Sequence, residues 1–150
     1  MIPTPNSPHS LRRMRPADTD AVLDIWLNAS LKAHDFIDDD FWYQQREAMR
    51  SAYLPMAEVW VMERDGAIEG FYAMHGQTLA AIFVAPKKQG QGVGSQLLRH
   101  AQQQQNYIDL TVYQKNHASY AFYLRHGFQA DRAQTDPHTG EREWRMVYQR

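Results

Sequence analysis

The chain predicts a mixed α/β fold of the α+β type: a mostly antiparallel, twisted sheet of about seven strands carrying about four helices. Three observations point to it. Apolar residues recur at helical spacing through the N-terminal third. Three β-rich runs then succeed one another with only short turns between them, so they pair as neighbours. Over residues 79–112, an apolar strand, a glycine loop, an amphipathic helix and an alternating strand follow in turn. That order demands a crossover and one parallel pair.

Residues 11–14 make the first strand, and Arg15-Pro16-Ala17-Asp18 turns out of it. Asp18 is placed to cap a helix over 18–32, in which Val22, Ile25, Trp26 and Ala29 share a face. The stretch 34–37 breaks this pattern. Asp38, Asp39 and Asp40 follow it, and acidic residues are stabilising at a helix start. The second helix covers 41–53 and stops near Pro55. Runs at 58–63 and 67–74 flank Asp65-Gly66, a strong hairpin signal. Gly76-Gln77 turns the chain into the strand 79–84. Val93, Leu97, Leu98 and Ala101 mark the buried face of the next helix, closed by the polar run 102–106. Residues 108–112 alternate as a strand. Asn116 caps a helix over 117–126, and Gly127 ends it. Strands at 128–134 and 143–148 close the chain, joined by the turn 136–140.

The 150 residues suit one domain, read as 11–150 behind a proline-bearing, flexible lead-in over 1–10. Apolar residues at 43% and charged residues at 22% exclude a disordered chain. A net charge of −1 supplies no global field to recruit nucleic acid or an anionic membrane. With no cysteine, a disulfide scaffold, a thiol nucleophile and a cysteine metal site are excluded. No apolar run approaches the ~18 residues that span a bilayer, and the first residues lack a signal peptide's basic-then-apolar order. The reading is a soluble cytoplasmic protein, monomer or homodimer, with neither nucleic acid nor membrane as a partner.

The chemistry centres on Gln89-Gly90-Gln91-Gly92-Val93-Gly94-Ser95, between an apolar strand and a helix N-terminus. Free N–H groups and the aligned peptide dipoles make a helix start an anion site, and glycines let a phosphate approach the backbone. The spacing matches neither common phosphate loop. A dinucleotide fingerprint requires glycine where Ser95 stands, and Gly-Lys-Ser or Gly-Lys-Thr is absent. The bland alternative, a flexible turn, needs one glycine where this loop has three.

Two motifs together carry a resemblance. Gln89-x-x-Gly92-x-Gly94 follows an apolar strand, and Asn116 opens a short helix holding Phe122-Tyr123, then three residues, then Gly127-Phe128. The chain resembles the GNAT superfamily of N-acetyltransferases over nearly its whole length, and small single-domain bacterial members in particular. The resemblance implies a sheet splayed at its central parallel pair, where acetyl-CoA binds as the acyl donor without a metal. It implies that Ile82, Phe83 and Val84 pair with the pantetheine arm and that the N–H groups from Gln89 through Ser95 (Gln89, Gly90, Gln91, Gly92, Val93, Gly94, Ser95) hold the pyrophosphate. Asn116 would contact the pantetheine, and Tyr123 would be the general acid that protonates the departing thiolate. A carboxylate that many members place on the donor strand is replaced by Leu79-Ala80-Ala81. His34, His75 and Glu69 are therefore the candidates for base or acceptor-side group, none of them singled out. The acceptor expected is a primary amine, with a protein lysine ahead of a small-molecule amine. A non-catalytic acyl-CoA sensor is the alternative of a different class.

Overall fold

The structure, a computed structural model, describes residues 9–150. The elements are β1 (Ser10–Arg13), α1 (Thr19–Ala33), α2 (Asp39–Ala48), α3 (Leu54–Met56), β2 (Glu58–Arg64), β3 (Ala67–His75), β4 (Thr78–Val84), α4 (Val93–Gln104), β5 (Tyr107–Tyr113), α5 (His117–Arg125), β6 (Gln129–Thr135) and β7 (Arg142–Gln149). A π-helical turn, Met49–Tyr53, joins α2 to α3, so the two make one continuous helical stretch beside α1, α4 and α5. Among the described residues the strands form one seven-stranded sheet in the order β1-β2-β3-β4-β5-β7-β6. Every neighbouring pair is antiparallel except β4 and β5. No helix of the described residues is long and apolar enough to cross a membrane.

Most of the lead-in, residues 1–8, lies outside the described residues. At its end, His9 bonds Glu69 at 2.8 Å, and Ser10 already belongs to β1, opposite Glu63. Two other expectations are corrected. Asp18 does not cap α1 with its side chain. Its carboxylate accepts instead from Arg12 at 2.7 and 3.0 Å and from the Arg15 backbone N–H at 2.7 Å, because a guanidinium is the stronger donor within reach. The second helical stretch starts at Asp39 and passes Pro55 to end at Met56. Asp38 caps it by accepting from the Asp40 N–H at 3.0 Å. Pro55 sits within the first two positions of the short α3, where a missing N–H costs little.

Side chains alternate across β4, and this sorts the core onto the two faces of the sheet. On one face α1 buries Val22, Leu23 and Trp26 against Val61, Phe71 and Ala73. On the other, α4 buries Val93, Leu97 and Leu98 against Tyr72, Ile108 and Leu110. Gly70 permits this second contact. A Cβ there would lie 2.9 Å from the Phe83 carbonyl oxygen, 3.0 Å from Leu97 and 3.2 Å from Val93.

The parallel pair is short. Only Thr78 and Asp109 face each other in register, clasped by the Thr78 hydroxyl donating to the Asp109 carboxylate at 2.5 Å. Beyond this point β4 and β5 part. A bulge contributes at the same place: Ala73 pairs with Ala81 and Met74 with Leu79, leaving Ala80 without an opposite residue on β3.

Candidate active site

The parting strands open a cleft of about 980 Å³. Its walls are β4 from Leu79 to Val84, the loop into α4, the start of α5, the end of β5 and the loop after α1. Ile82, Phe83, Val84, Gln89, Gly90, Gly92, Gly94, Ser95, Asn116, Tyr123 and His34 all line it.

The loop is shaped for an anion. Gly90 and Gly92 have φ of 78° and 84°, and a Cβ on either would meet nothing within 4 Å, so the surface above them is open. Gly92 is the residue before α4, and no side chain caps the free N–H groups of that helix. Its first turn contains no acidic residue. These features fit a pyrophosphate. Gln89 bridges the cleft: Lys32 donates to its carbonyl oxygen at 3.0 Å, and its amide donates to the Val84 carbonyl at 3.1 Å.

Asn116 holds the start of α5, as its place before the helix predicts. Its side-chain oxygen accepts from the Ser119 N–H at 3.2 Å. The other end of the amide donates to His34 Nε2 at 3.3 Å, which ties α5 to the loop after α1. Tyr123, on the inner face of α5, is buried and packs against Phe122 and Phe128, with ring centroids 5.4 and 5.6 Å away. Burial pushes its phenol well above the usual tyrosine range, so the hydroxyl keeps its proton at neutral pH.

Of the three candidate bases, the cleft includes one. His34 lies against Trp42, with ring centroids 5.2 Å apart and nearly parallel, and edge-on to Tyr113 at 5.2 Å. Burial pushes its imidazole down to about 4, so it is neutral at neutral pH. His75 is exposed at the end of β3, opposite Thr78. Glu69 is buried among His9 at 2.8 Å, Arg64 at 3.0 Å and Lys88 at 3.3 Å. Burial pushes its carboxyl up, but the hydrogen bonds from Arg64, His9 and Lys88 outweigh this and hold it below the usual range. Neither His75 nor Glu69 lines the cleft. Gln91 and Val93 are also outside the lining: Gln91 donates to the Lys87 carbonyl at 3.4 Å, and the Val93 side chain is core.

The cleft also contains three residues that sequence reasoning missed: Tyr113, Asp136 and Glu143. Tyr113 donates to Asp136 at 2.5 Å, joining the end of β5 to the turn between β6 and β7. Glu143 is buried opposite Tyr113 and accepts from Gln134 at 2.8 Å. Their signal in the sequence was only an ordinary tyrosine and two ordinary carboxylates.

A sheet parted at a parallel pair, with an uncapped glycine-lined helix start on one wall and a protonated buried tyrosine on another, is the architecture of an acyl-coenzyme A-dependent transferase. Residues 55–130 match the family described as "Acetyltransferase (GNAT) domain", and the chain belongs to that family of N-acetyltransferases. It is 39% identical to the peptidyl-lysine N-acetyltransferase YiaC of Escherichia coli over 119 residues, 79% of this chain and 82% of that one. The solution structure of apo YjaB from Escherichia coli superposes with a TM-score of 0.84 at 26% identity, covering 94% of this chain and 97% of that one. The fold is shared also with the PaiA N-acetyltransferase of Thermoplasma acidophilum in complex with coenzyme A, at a TM-score of 0.81 and 14% identity, over 95% of this chain and 99% of that one.

Proposed function

We propose that this chain, through a single unit over residues 11–150, moves the acetyl group of acetyl-CoA directly onto the side-chain amine of a protein lysine. One observation carries the reading: the pyrophosphate-shaped loop and the protonated Tyr123 hydroxyl share the cleft where β4 and β5 part. Family membership supports acetyl-CoA as donor. The resemblance to YiaC, named a peptidyl-lysine N-acetyltransferase, supports lysine as acceptor.

In this reading the N–H groups of Gln89 through Ser95 hold the donor's pyrophosphate, with α4's dipole behind them. The unpaired edge of β4 at Ile82, Phe83 and Val84 lines up the pantetheine arm, and Asn116 steadies it. A β4 backbone N–H at the parting polarises the thioester carbonyl as the acceptor nitrogen attacks. The N–C bond forms and the C–S bond breaks. Tyr123 gives its proton to the leaving sulfur and recovers it from solvent. A thioester is already activated, so much of the rate comes from holding the two reactants in line.

The acceptor nitrogen must attack without its extra proton. Of the candidate bases, His34 lines the cleft, but its one lone pair, on Nε2, already accepts from the Asn116 amide, so the acceptor's extra proton leaves through water in the cleft. The test is coenzyme A release from acetyl-CoA across lysine peptides, peptides with only an N-terminal amine, and small diamines. Lysine peptides should turn over fastest. Saturable coenzyme binding with no amine-dependent release would replace the enzyme reading with a sensor. Preference for a small diamine would move the acceptor class.

A further inference from the structure

Glu69 sits beside the point where β4 gives way to the glycine loop. It occupies a bulge: Met62 pairs with Gly70 and Glu63 with Ile68, leaving Glu69 without an opposite residue on β2. A bulge re-aims the side chain it carries. Here the carboxylate is buried, and its partners come from three separate segments of the chain. His9, just ahead of β1, lies 2.8 Å from one oxygen. Arg64, at the end of β2, and Lys88, just ahead of the loop, share the other at 3.0 and 3.3 Å.

We propose that Glu69 is a positioning residue for the acyl donor: by holding Lys88 it fixes the turn from which the pyrophosphate loop starts, and it sets the lysine ammonium at the phosphate end of the cleft. This deepens the reading of residues 89–95 as the donor's pyrophosphate site and rests on it.

Three observations argue for it. First, Glu69 holds the turn at both ends. Its backbone carbonyl accepts from the Ala85 N–H at 2.9 Å, one residue past β4, and its carboxylate pairs with the Lys88 ammonium. Between these anchors the Lys88 N–H closes the turn onto the Ala85 carbonyl at 2.7 Å. Second, the loop begins at the very next residue, Gln89, whose amide donates to the Val84 carbonyl at 3.1 Å. A change in the direction of Lys88 is therefore carried straight into the loop. Third, Lys88 belongs to two environments at once. Its ammonium pairs with a buried carboxylate, yet its side chain is 42% exposed and lines the cleft, within reach of an anion there.

Charge explains why the carboxylate does not oppose the donor. Left bare, an anion beside the loop would repel a phosphate. Burial pushes the Glu69 carboxyl up, but hydrogen bonds from Arg64, His9 and Lys88 hold it below the usual range. It stays ionised at neutral pH, keeps Lys88 in place and has both oxygens occupied.

The experiment is isothermal titration of the full chain with coenzyme A and with pantetheine, which lacks the nucleotide and all its phosphates. Glu69→Gln keeps the size of the side chain and removes the charge that holds Lys88. It should bind coenzyme A about tenfold more weakly than wild type and pantetheine equally well. Lys88→Met, at a half-exposed side chain, should show the same selective loss, and it decides the matter if the buried Glu69→Gln fails to fold. The double variant should be no weaker than either single one, because both act through one ion pair. Wild-type affinity for coenzyme A in either folded variant, or losses that add in the double variant, would overturn the inference. So would an equal loss for pantetheine, the mark of a merely structural role. Failure of the wild-type chain to bind coenzyme A would overturn the reading of the loop itself, and this inference with it.

Discussion

The two faces of the parted sheet are built in different ways. The α4 face is assembled from contiguous segments: strand β4, its loop, α4 and then α5. The α1 face draws its cleft residues from four distant places, His34 after α1, Trp42 in α2, Tyr113 at the end of β5, and Asp136 and Glu143 around the last hairpin. The first face uses mainly backbone, with free N–H groups, open glycines and an unpaired strand edge. The second uses side chains. A backbone site tolerates many side chains provided the turn geometry is kept, which suits a ligand common to every turnover. A side-chain site can change residue by residue, which suits a variable acceptor.

Four substitutions probe that division. The largest effect should come from Tyr123→Phe, which removes the proposed proton donor and little volume. Turnover should fall by two to three orders of magnitude, roughly 3–4 kcal/mol, with coenzyme affinity intact in a binding titration. Unchanged turnover would take Tyr123 out of the chemistry.

Next is His34, on the opposite face. Its folded pKa is depressed to about 4 from 6.5, so at pH values between the two the unfolded chain binds the extra proton. The stability this neutral, buried ring contributes is complete above 6.5 and is lost as pH falls toward 4. Between pH 7 and pH 4 wild type should lose about 3 kcal/mol more than His34→Gln, measured by urea unfolding. Parallel pH curves would show that the ring is not held neutral.

Gly70→Ala should destabilise by about 2 kcal/mol, because the new Cβ collides with a carbonyl oxygen and with the underside of α4. For a chain of this size that lowers Tm by about 4–8 °C in a thermal melt. A neutral result would mean that α4 can retreat from the sheet at little cost.

The smallest effect is expected from Gly92→Val. A β-branched residue at φ 84° distorts the loop and covers its open surface. Coenzyme affinity should fall about tenfold while the affinity for a lysine peptide stays the same. A loss of both would show that the two ends of the cleft are not independent.

Legibility followed the same division. The order of strands and helices, the Asp65-Gly66 turn with φ of 54° and 80°, and the Asn116 cap were readable because each depends on neighbours a few residues away. So was the glycine loop. The expectations that failed did so for local reasons: Asp18 went to Arg12 rather than to its own helix, and Pro55 opened a further helical turn instead of ending one. His75 and Glu69 share a side of β3 by periodicity. Periodicity is silent on depth, and the structure leaves one exposed at a hairpin and the other enclosed by His9, Arg64 and Lys88. Gly70 gave no sign of its role, since the atoms that crowd it come from β4 and α4.

By itself, then, the chain's order of residues determined the elements, their sequence and the glycine loop before α4, because hydrogen bonding, turn chemistry and side-chain period act over short separations. Tertiary structure alone decided where β4 leaves β5, which candidate base reaches the cleft, and that Tyr113 would bring Asp136 to it across 23 positions. Those outcomes depend on sheet order, the Ala80 bulge and the packing of helices on both faces. No window of neighbouring residues contains that information.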